Sequence, residues 1–428
     1  MNLRIIKPVY LSLLSLLAAF PLLPFALRSV IIILVLVLAI IYSVSESFNR
    51  PIKLGLIYAL PFLVLLFSLS YSKMPLEGLK DIIQLLSFII LPLIFILYPV
   101  SIKSTKWLYK VFYSSVFFLV LYQATNLVVN IDTVHAEPSA QELKYNGITN
   151  ILNADPNEIE AIKVRRFRTF VKSISNTHPT YQSIWIVFAV ALCLFTWHCS
   201  MKKIEKTIRI VTMLIMVSWL FMLSSRMPIL AGITAALIFG VKQSLKAKII
   251  WLSIAVGLCF VSYLLIPSLN NRINEVYSSG LKSVNLESGV RQFNSTNIRL
   301  GIYSCGIMIH NKRPVIGYGV GGVQENLTDC LVSRINPKIY QWRTYGTHNQ
   351  YLYMLLSTGY IGLVILLFWI FYLFKISFKH NLILFLFFFT FCLICMLTEN
   401  ILARNDGVLF FGLFTGILFF NPINRRYD

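Results

Sequence analysis

Along this chain the apolar residues gather in blocks of roughly 16 to 25, separated by short polar connections, and a helix of that length crosses a hydrocarbon core of about 30 Å. The pattern predicts about twelve membrane-spanning helices, near residues 9–27, 29–44, 52–70, 81–100, 107–130, 180–199, 207–223, 228–241, 249–267, 348–374, 381–397 and 406–420. Blocks this evenly apolar have little amphipathic period, and helices are the economical form because lipid offers the backbone no hydrogen-bond partner. Two long polar segments interrupt the series, at 131–179 and 268–347. The expected fold is an all-α integral membrane protein. Its parts are five spans in 1–130, a first loop at 131–179, four spans in 180–267, a large loop or cap at 268–347, and three spans with a short tail in 348–428.

Composition agrees with the pattern. Hydrophobic residues make up 57% of the 428 and charged residues only 13%, about half the charged share of a soluble globular protein, which excludes a water-soluble enzyme. The net charge of +21 could mark a nucleic-acid binder, yet Lys and Arg lie mostly in the short connections rather than on one face. Membrane lipids, not nucleic acid, are the partners this placement predicts. With the amino terminus inside, alternate short connections hold eighteen Lys or Arg on the inner side against five on the outer, so both termini are expected inside and both long segments outside. Arg4 and Lys7 precede an apolar run without a small-residue cleavage site, so the first helix is expected to be retained. Of seven cysteines, Cys305 and Cys330 share the second outer segment, where an oxidising compartment would permit a disulfide.

The most specific string is HNQYLYMLLSTGYIG, in which His348 and Asn349 open the tenth predicted helix and Gly359 and Gly362 follow. An imidazole near its ordinary pKa of about 6.5 takes up a proton near neutral pH, and a helix start offers unpaired N–H groups to an anion. The glycines would let a neighbouring helix approach closely. The plainer reading is an interfacial histidine that caps a helix.

Arg226, in SSRMPIL, lies between two spans, where a guanidinium either snorkels to the interface or grips phosphate through its planar fork. Arg299 begins a helix-like stretch in the second outer segment, and the glycines at 317, 319, 321 and 322 that end the stretch suit a tight turn rather than a dinucleotide site. In the first outer segment, Arg166 and Arg168 belong to a basic run that could meet phosphate or glycan, or could be a solvated face. His178 follows at the start of the sixth span. Glu399, at the outer end of the eleventh, is either a base for a sugar hydroxyl or one half of an ion pair.

No phosphate-binding loop, zinc-hydrolase helix, serine elbow or four-ligand Cys/His set is present. The outer loops also lack the acidic pair that would hold a divalent metal and a sugar diphosphate. Neither a metal nor a cofactor is therefore expected. An enzyme without metal or nucleotide on the outer face must receive an activated substrate, for which a lipid-linked diphosphate is the natural choice.

Together SRMPIL, NIRLGIY with RPVIGYGVGG, and HNQYLYMLLSTGYIG resemble the O-antigen ligase family and its wider superfamily of bacterial membrane ligases and polymerases, over about residues 170 to 420. The resemblance implies a twelve-helix GT-C glycosyltransferase in the bacterial inner membrane, with an undecaprenyl-diphosphate-linked glycan as donor and lipid A-core as the ligase acceptor on the periplasmic face. It also implies that Arg226 and Arg299 are the motif arginines and His348 the motif histidine, acting in a single inverting displacement. Asn349, Arg166, Arg168, His178 and Glu399 are the candidate substrate-binding residues. A repeat-unit polymerase and a protein O-glycosyltransferase belong to the same superfamily and remain alternatives. A flippase or transporter of lipid-linked oligosaccharide is the competing class, opposed by span centres nearly free of ionisable residues.

Overall fold

The structure is a computed structural model that describes residues 3–45, 50–145, 156–197, 200–240, 295–335, 340 and 344–425. The predicted span at 249–267, the start of the second polar segment up to residue 294, and Lys242, Lys246 and Lys248 lie outside the described residues. Every regular element among the described residues is helical. In chain order they begin with α1 (Leu3–Ala18), α2 (Phe25–Ser45), α3 (Ile52–Tyr58), α4 (Leu60–Ser68), α5 (Pro75–Leu97) and α6 (Ile102–Val129). The first polar segment folds into α7 (Ile131–His135), α8 (Ala140–Tyr145) and α9 (Pro156–Ser175), before α10 (Pro179–Phe195), α11 (Lys203–Met222) and α12 (Arg226–Gly240). The series resumes with α13 (Ser295–His310), α14 (Val323–Cys330), α15 (Gln350–Lys379), α16 (Ile383–Cys395), α17 (Asn405–Thr415) and α18 (Asn421–Asn424).

Among the described residues, five helices are long and apolar enough to cross a membrane, or up to seven if each of two bent pairs is one span. This is a multi-pass membrane architecture with several broken rods where the sequence pattern suggested straight ones. One bent pair, α3 and α4, turns by 47°. Its cause is Pro61, which lacks an N–H and crowds the preceding turn. The other joins the end of α9 to α10 at 76°, across Asn176 in the left-handed region at φ 52°.

The chain divides into two compact units. One comprises Met1–Tyr10, Ile32–Ser101 and Leu281–Asp428. Its core is aromatic: Tyr58 stacks on Phe88 at 4.6 Å, Trp369 meets Phe389 at 5.4 Å, and Phe388 packs on Phe411 at 5.8 Å. The Trp369 indole donates to the Tyr58 carbonyl at the α3–α4 bend (3.0 Å), satisfying an acceptor there. At the carboxyl end of α5, the buried Asn424 amide donates to the carbonyls of Phe95 and Ile96 at 3.0 and 2.8 Å, so orphan helix-end acceptors are paired inside the unit.

Helix α15 is broken at Gly359, where φ is 63° and ψ −160°. The loop after α13 fills the break with backbone. Tyr318 and Gly319 N–H groups donate to the carbonyls of Leu356 and Ser357, each at 2.9 Å, and Tyr360 N–H donates to the Pro314 carbonyl at 2.8 Å. A side chain at Gly359 would strike the Val315 carbonyl, so at this glycine it is a loop rather than a neighbouring helix that approaches closely. The glycine cluster has the turn role its composition suggests, with Gly317 and Gly319 both at positive φ. Cys305 and Cys330 are joined by a disulfide that ties α13 to α14.

The second unit comprises Leu11–Ile31 and Ile102–Gly280. Phe20 sits edge-on to Trp185 at 5.0 Å and stacks on Phe112 at 5.7 Å. A buried polar chain crosses this unit: Trp219 Nε1 donates to Gln123, whose amide donates to Gln182, at 3.0 and 2.9 Å.

Candidate functional site

His348 sits in the first unit, at the entrance to α15. Its backbone is left-handed at φ 46°, uncommon for a residue with a side chain and a form of strain that tends to collect at functional positions. Asn349 then takes the extended N-cap conformation, and its side-chain oxygen accepts from the Leu352 N–H at 3.0 Å. The helix starts two residues later than the sequence pattern suggested because these two residues build its cap.

The segment after α16 wraps this entrance. Gln350 N–H donates to the Met396 carbonyl at 2.9 Å, the Gln350 side chain accepts from Leu402 N–H at 3.0 Å, and Thr347 pairs with Asn400 at about 3 Å. Helix α13 closes the other side. Four residues apart on one of its faces, Arg299 reaches Glu399 at 3.2 Å, while the Tyr303 hydroxyl lies within donating distance of the carbonyls of His348 (3.4 Å) and Leu397 (3.3 Å).

The electrostatics of the group are set first by burial and then by cations. Burial, and then the positive charges of Arg299 and Arg404, push the His348 imidazole down to about 4. The ring is therefore neutral near pH 7, with a lone pair free to take a proton. Tyr303 and Arg404 complete the group although they were not among the candidates. The signal for Tyr303 was its i+4 spacing from Arg299, whereas the effect of Arg404 on His348 depends on tertiary packing.

Thus the first unit brings together Arg299, His348, Asn349 and Glu399. The remaining candidates belong to the second unit. There Arg166 forms a two-pronged ion pair with Glu142, at 2.6 and 3.0 Å, and also donates to the Ala136 carbonyl at 2.7 Å. Glu142 is held at about 2 by that guanidinium and by the Ser139 backbone N–H; with Ser139 it forms the reciprocal cap of α8. Arg168 donates to the Leu223 carbonyl and, at 3.1 Å, to Ser225 Oγ. His178 caps α10, its Nδ1 accepting from Thr180 N–H at 3.3 Å. Arg226 is the first residue of α12 and is half-buried.

A neutral imidazole, a guanidinium tied to a carboxylate and a second cation nearby can accept a proton and stabilise an oxyanion in one place. No curated protein matches the chain. Residues 211–367, which contain Arg226, Arg299, His348 and Asn349 but not Arg166, Arg168, His178 or Glu399, match the family model described as O-antigen ligase.

Proposed function

We propose that this protein is an O-antigen ligase-like glycosyltransferase. It moves a glycan from undecaprenyl diphosphate onto lipid A-core at the periplasmic face of the bacterial inner membrane, with inversion at the sugar and without a metal. The carrying observation is the group at the entrance to α15, where left-handed His348 meets Tyr303 of α13, one turn from the Arg299 that pairs with Glu399.

In this reading an acceptor hydroxyl oxygen attacks the anomeric carbon while the bond from that carbon to the diphosphate oxygen breaks. The electron pair leaves with the diphosphate, and the hydroxyl proton passes to the His348 imidazole. Arg299 stabilises the growing negative charge through a planar, permanently charged fork, the role a metal takes in many other glycosyltransferases, and Arg226 has a phosphate-binding role of its own. Glu399 keeps Arg299 in place before the donor arrives. Arriving diphosphate also offsets the positive charges that depress His348, so the base strengthens when the donor is bound.

The test is transfer in vitro by the purified full chain, without a membrane gradient. The donor is a defined undecaprenyl-diphosphate glycan, offered lipid A-core, a second lipid-linked glycan or a peptide, with and without chelator. The expected product is glycosylated lipid A-core, insensitive to chelator and lost in H348A and R226A. Product on the second lipid-linked glycan alone would make the protein a polymerase, and product on peptide alone a protein glycosyltransferase. No transfer to any acceptor, with the protein folded, would favour the transporter class.

A further inference from the structure

The basic run VRRFRTF looks like a surface for anions, but its middle residues are occupied inside the protein. Phe167 is buried and meets Trp219 of α11 edge-on, with ring centres 5.7 Å apart. Trp219 is in turn held by Gln123, Gln123 by Gln182, and Gln182 donates to Ser175 Oγ and the Thr177 carbonyl at 2.8 and 2.9 Å. These contacts fasten the bend between α9 and α10 to the carboxyl-terminal end of α11.

Arg168 follows Phe167 and completes that fastening. One arm of its guanidinium donates to the Leu223 carbonyl and to Ser225 Oγ, and the other lies 3.5 Å from Thr180 Oγ1. Leu223 is at the end of α11, where carbonyls lack helical partners and the helix carries partial negative charge. Ser224 is left-handed at φ 51°, Ser225 is buried, and Arg226 is the next residue. The fork thus fixes the short link from which α12 and Arg226 emerge.

We propose that Arg168 is a positioning residue that acts through Arg226, setting the direction in which Arg226 is presented to a lipid-linked diphosphate. This rests on the phosphate-binding role given to Arg226 above. In this reading Arg168 does not itself touch the diphosphate; its fork reaches a carbonyl and two hydroxyls of the protein. Lysine cannot substitute, because a single ammonium on a flexible stem does not bridge acceptors on three elements.

The test uses the purified full chain in lipid nanodiscs, with undecaprenyl diphosphate as the probe. Binding is measured for the parent, R168A, R168K, R226A and R168A/R226A, and amide hydrogen exchange is followed across residues 223–230. Exchange there should speed up in R168A and R168K but not in K172A, an exposed neighbour on the same helix. Binding should weaken about tenfold in R168A and R168K, while the double variant should stay within about twofold of R226A alone, as expected of two residues acting in series. A double variant weakened by the product of the two single effects would mean that Arg168 binds phosphate independently, and the inference fails. Unchanged exchange in R168A, or full binding by R168K, overturns it as well. Unchanged binding in R226A would instead remove the phosphate role of Arg226, while the exchange measurement would still report whether the clamp holds the α11–α12 link.

Discussion

Arg299 lies 3.2 Å from Glu399 across a hundred residues of chain, with the two side chains 29% and 15% exposed. A pair so placed is partly shielded from water but still open to a ligand on the guanidinium side. Its planar fork can keep the carboxylate on one edge and take a phosphate on another, which an ammonium cannot do. Arg299→Lys should therefore lower kcat/KM for transfer by at least about tenfold, the size of one lost charge-assisted hydrogen bond. Glu399→Gln should cost less, since an amide can still accept from Arg299. Steady-state kinetics with varied donor measure both, and full activity in Arg299→Lys would rule out the fork.

Burial and the neighbouring cations set a pH dependence. His348 is held at about 4 by burial, Arg299 and Arg404, below its unfolded value of about 6.5. Between those values the unfolded chain takes up a proton that the folded protein refuses, so this site's contribution to stability falls as pH drops from 6.5 towards 4. For catalysis, kcat/KM reports the free enzyme and should keep its base-dependent limb near 4. The limb in kcat should lie higher, because bound diphosphate offsets the two guanidinium charges. Arg404→Gln removes one of those charges and should move the kcat/KM limb upward, towards 6.5. A limb unmoved in that variant would mean that the Arg404 charge does not bear on the titrating base, and a limb unmoved in His348→Ala that His348 is not that base.

The parts of this molecule that were legible in advance are those that lipid or local chemistry dictates. Apolar blocks had to become helices because the bilayer leaves the backbone no other partner, whereas the bend at Pro61 falls inside a block that reads as one straight span. The strings around Arg226, Arg299 and His348 were legible as a family signature. Partner choice was not. Which carboxylate meets Arg299, or that Arg166 serves Glu142, depends on packing between segments far apart in sequence, and no spacing rule reaches that far. Helix α9 was missed for another reason: it is polar and lies in a loop between spans, where membrane length gives no signal. Asn349 shows a local rule passed over, since an Asn before an apolar helical run is a cap by its own chemistry.

The disulfide between Cys305 and Cys330 spans 25 positions and fastens α13, which carries Arg299, to α14. Closing a loop of that length should stabilise the unit by about 3 kcal/mol, chiefly by restricting the unfolded chain. Reduction, or Cys305→Ser, should lower the melting temperature of the purified protein and slow its mobility on a denaturing gel relative to the oxidised parent. Identical gel mobility with and without reductant would show that the bridge does not form.

The glycines of the HNQYLYMLLSTGYIG string should both resist a methyl group. At Gly359 the backbone occupies φ 63° and ψ −160°, a region essentially closed to other residues, and an added Cβ meets the fixed carbonyl of Val315. At Gly362 an added Cβ would strike the Cβ of Thr358, across the break at Gly359, and no change of Thr358 rotamer moves that atom. Gly359→Ala should therefore cost more than about 3 kcal/mol and disorder the entrance that holds His348, and Gly362→Ala should destabilise the same break by about 1 to 3 kcal/mol. Thermal unfolding in detergent together with transfer activity would measure both. A fully tolerated Gly359→Ala would mean that the loop from Pro314 to Gly319 does not enter a break in α15, and the placement of His348 would then need a different support.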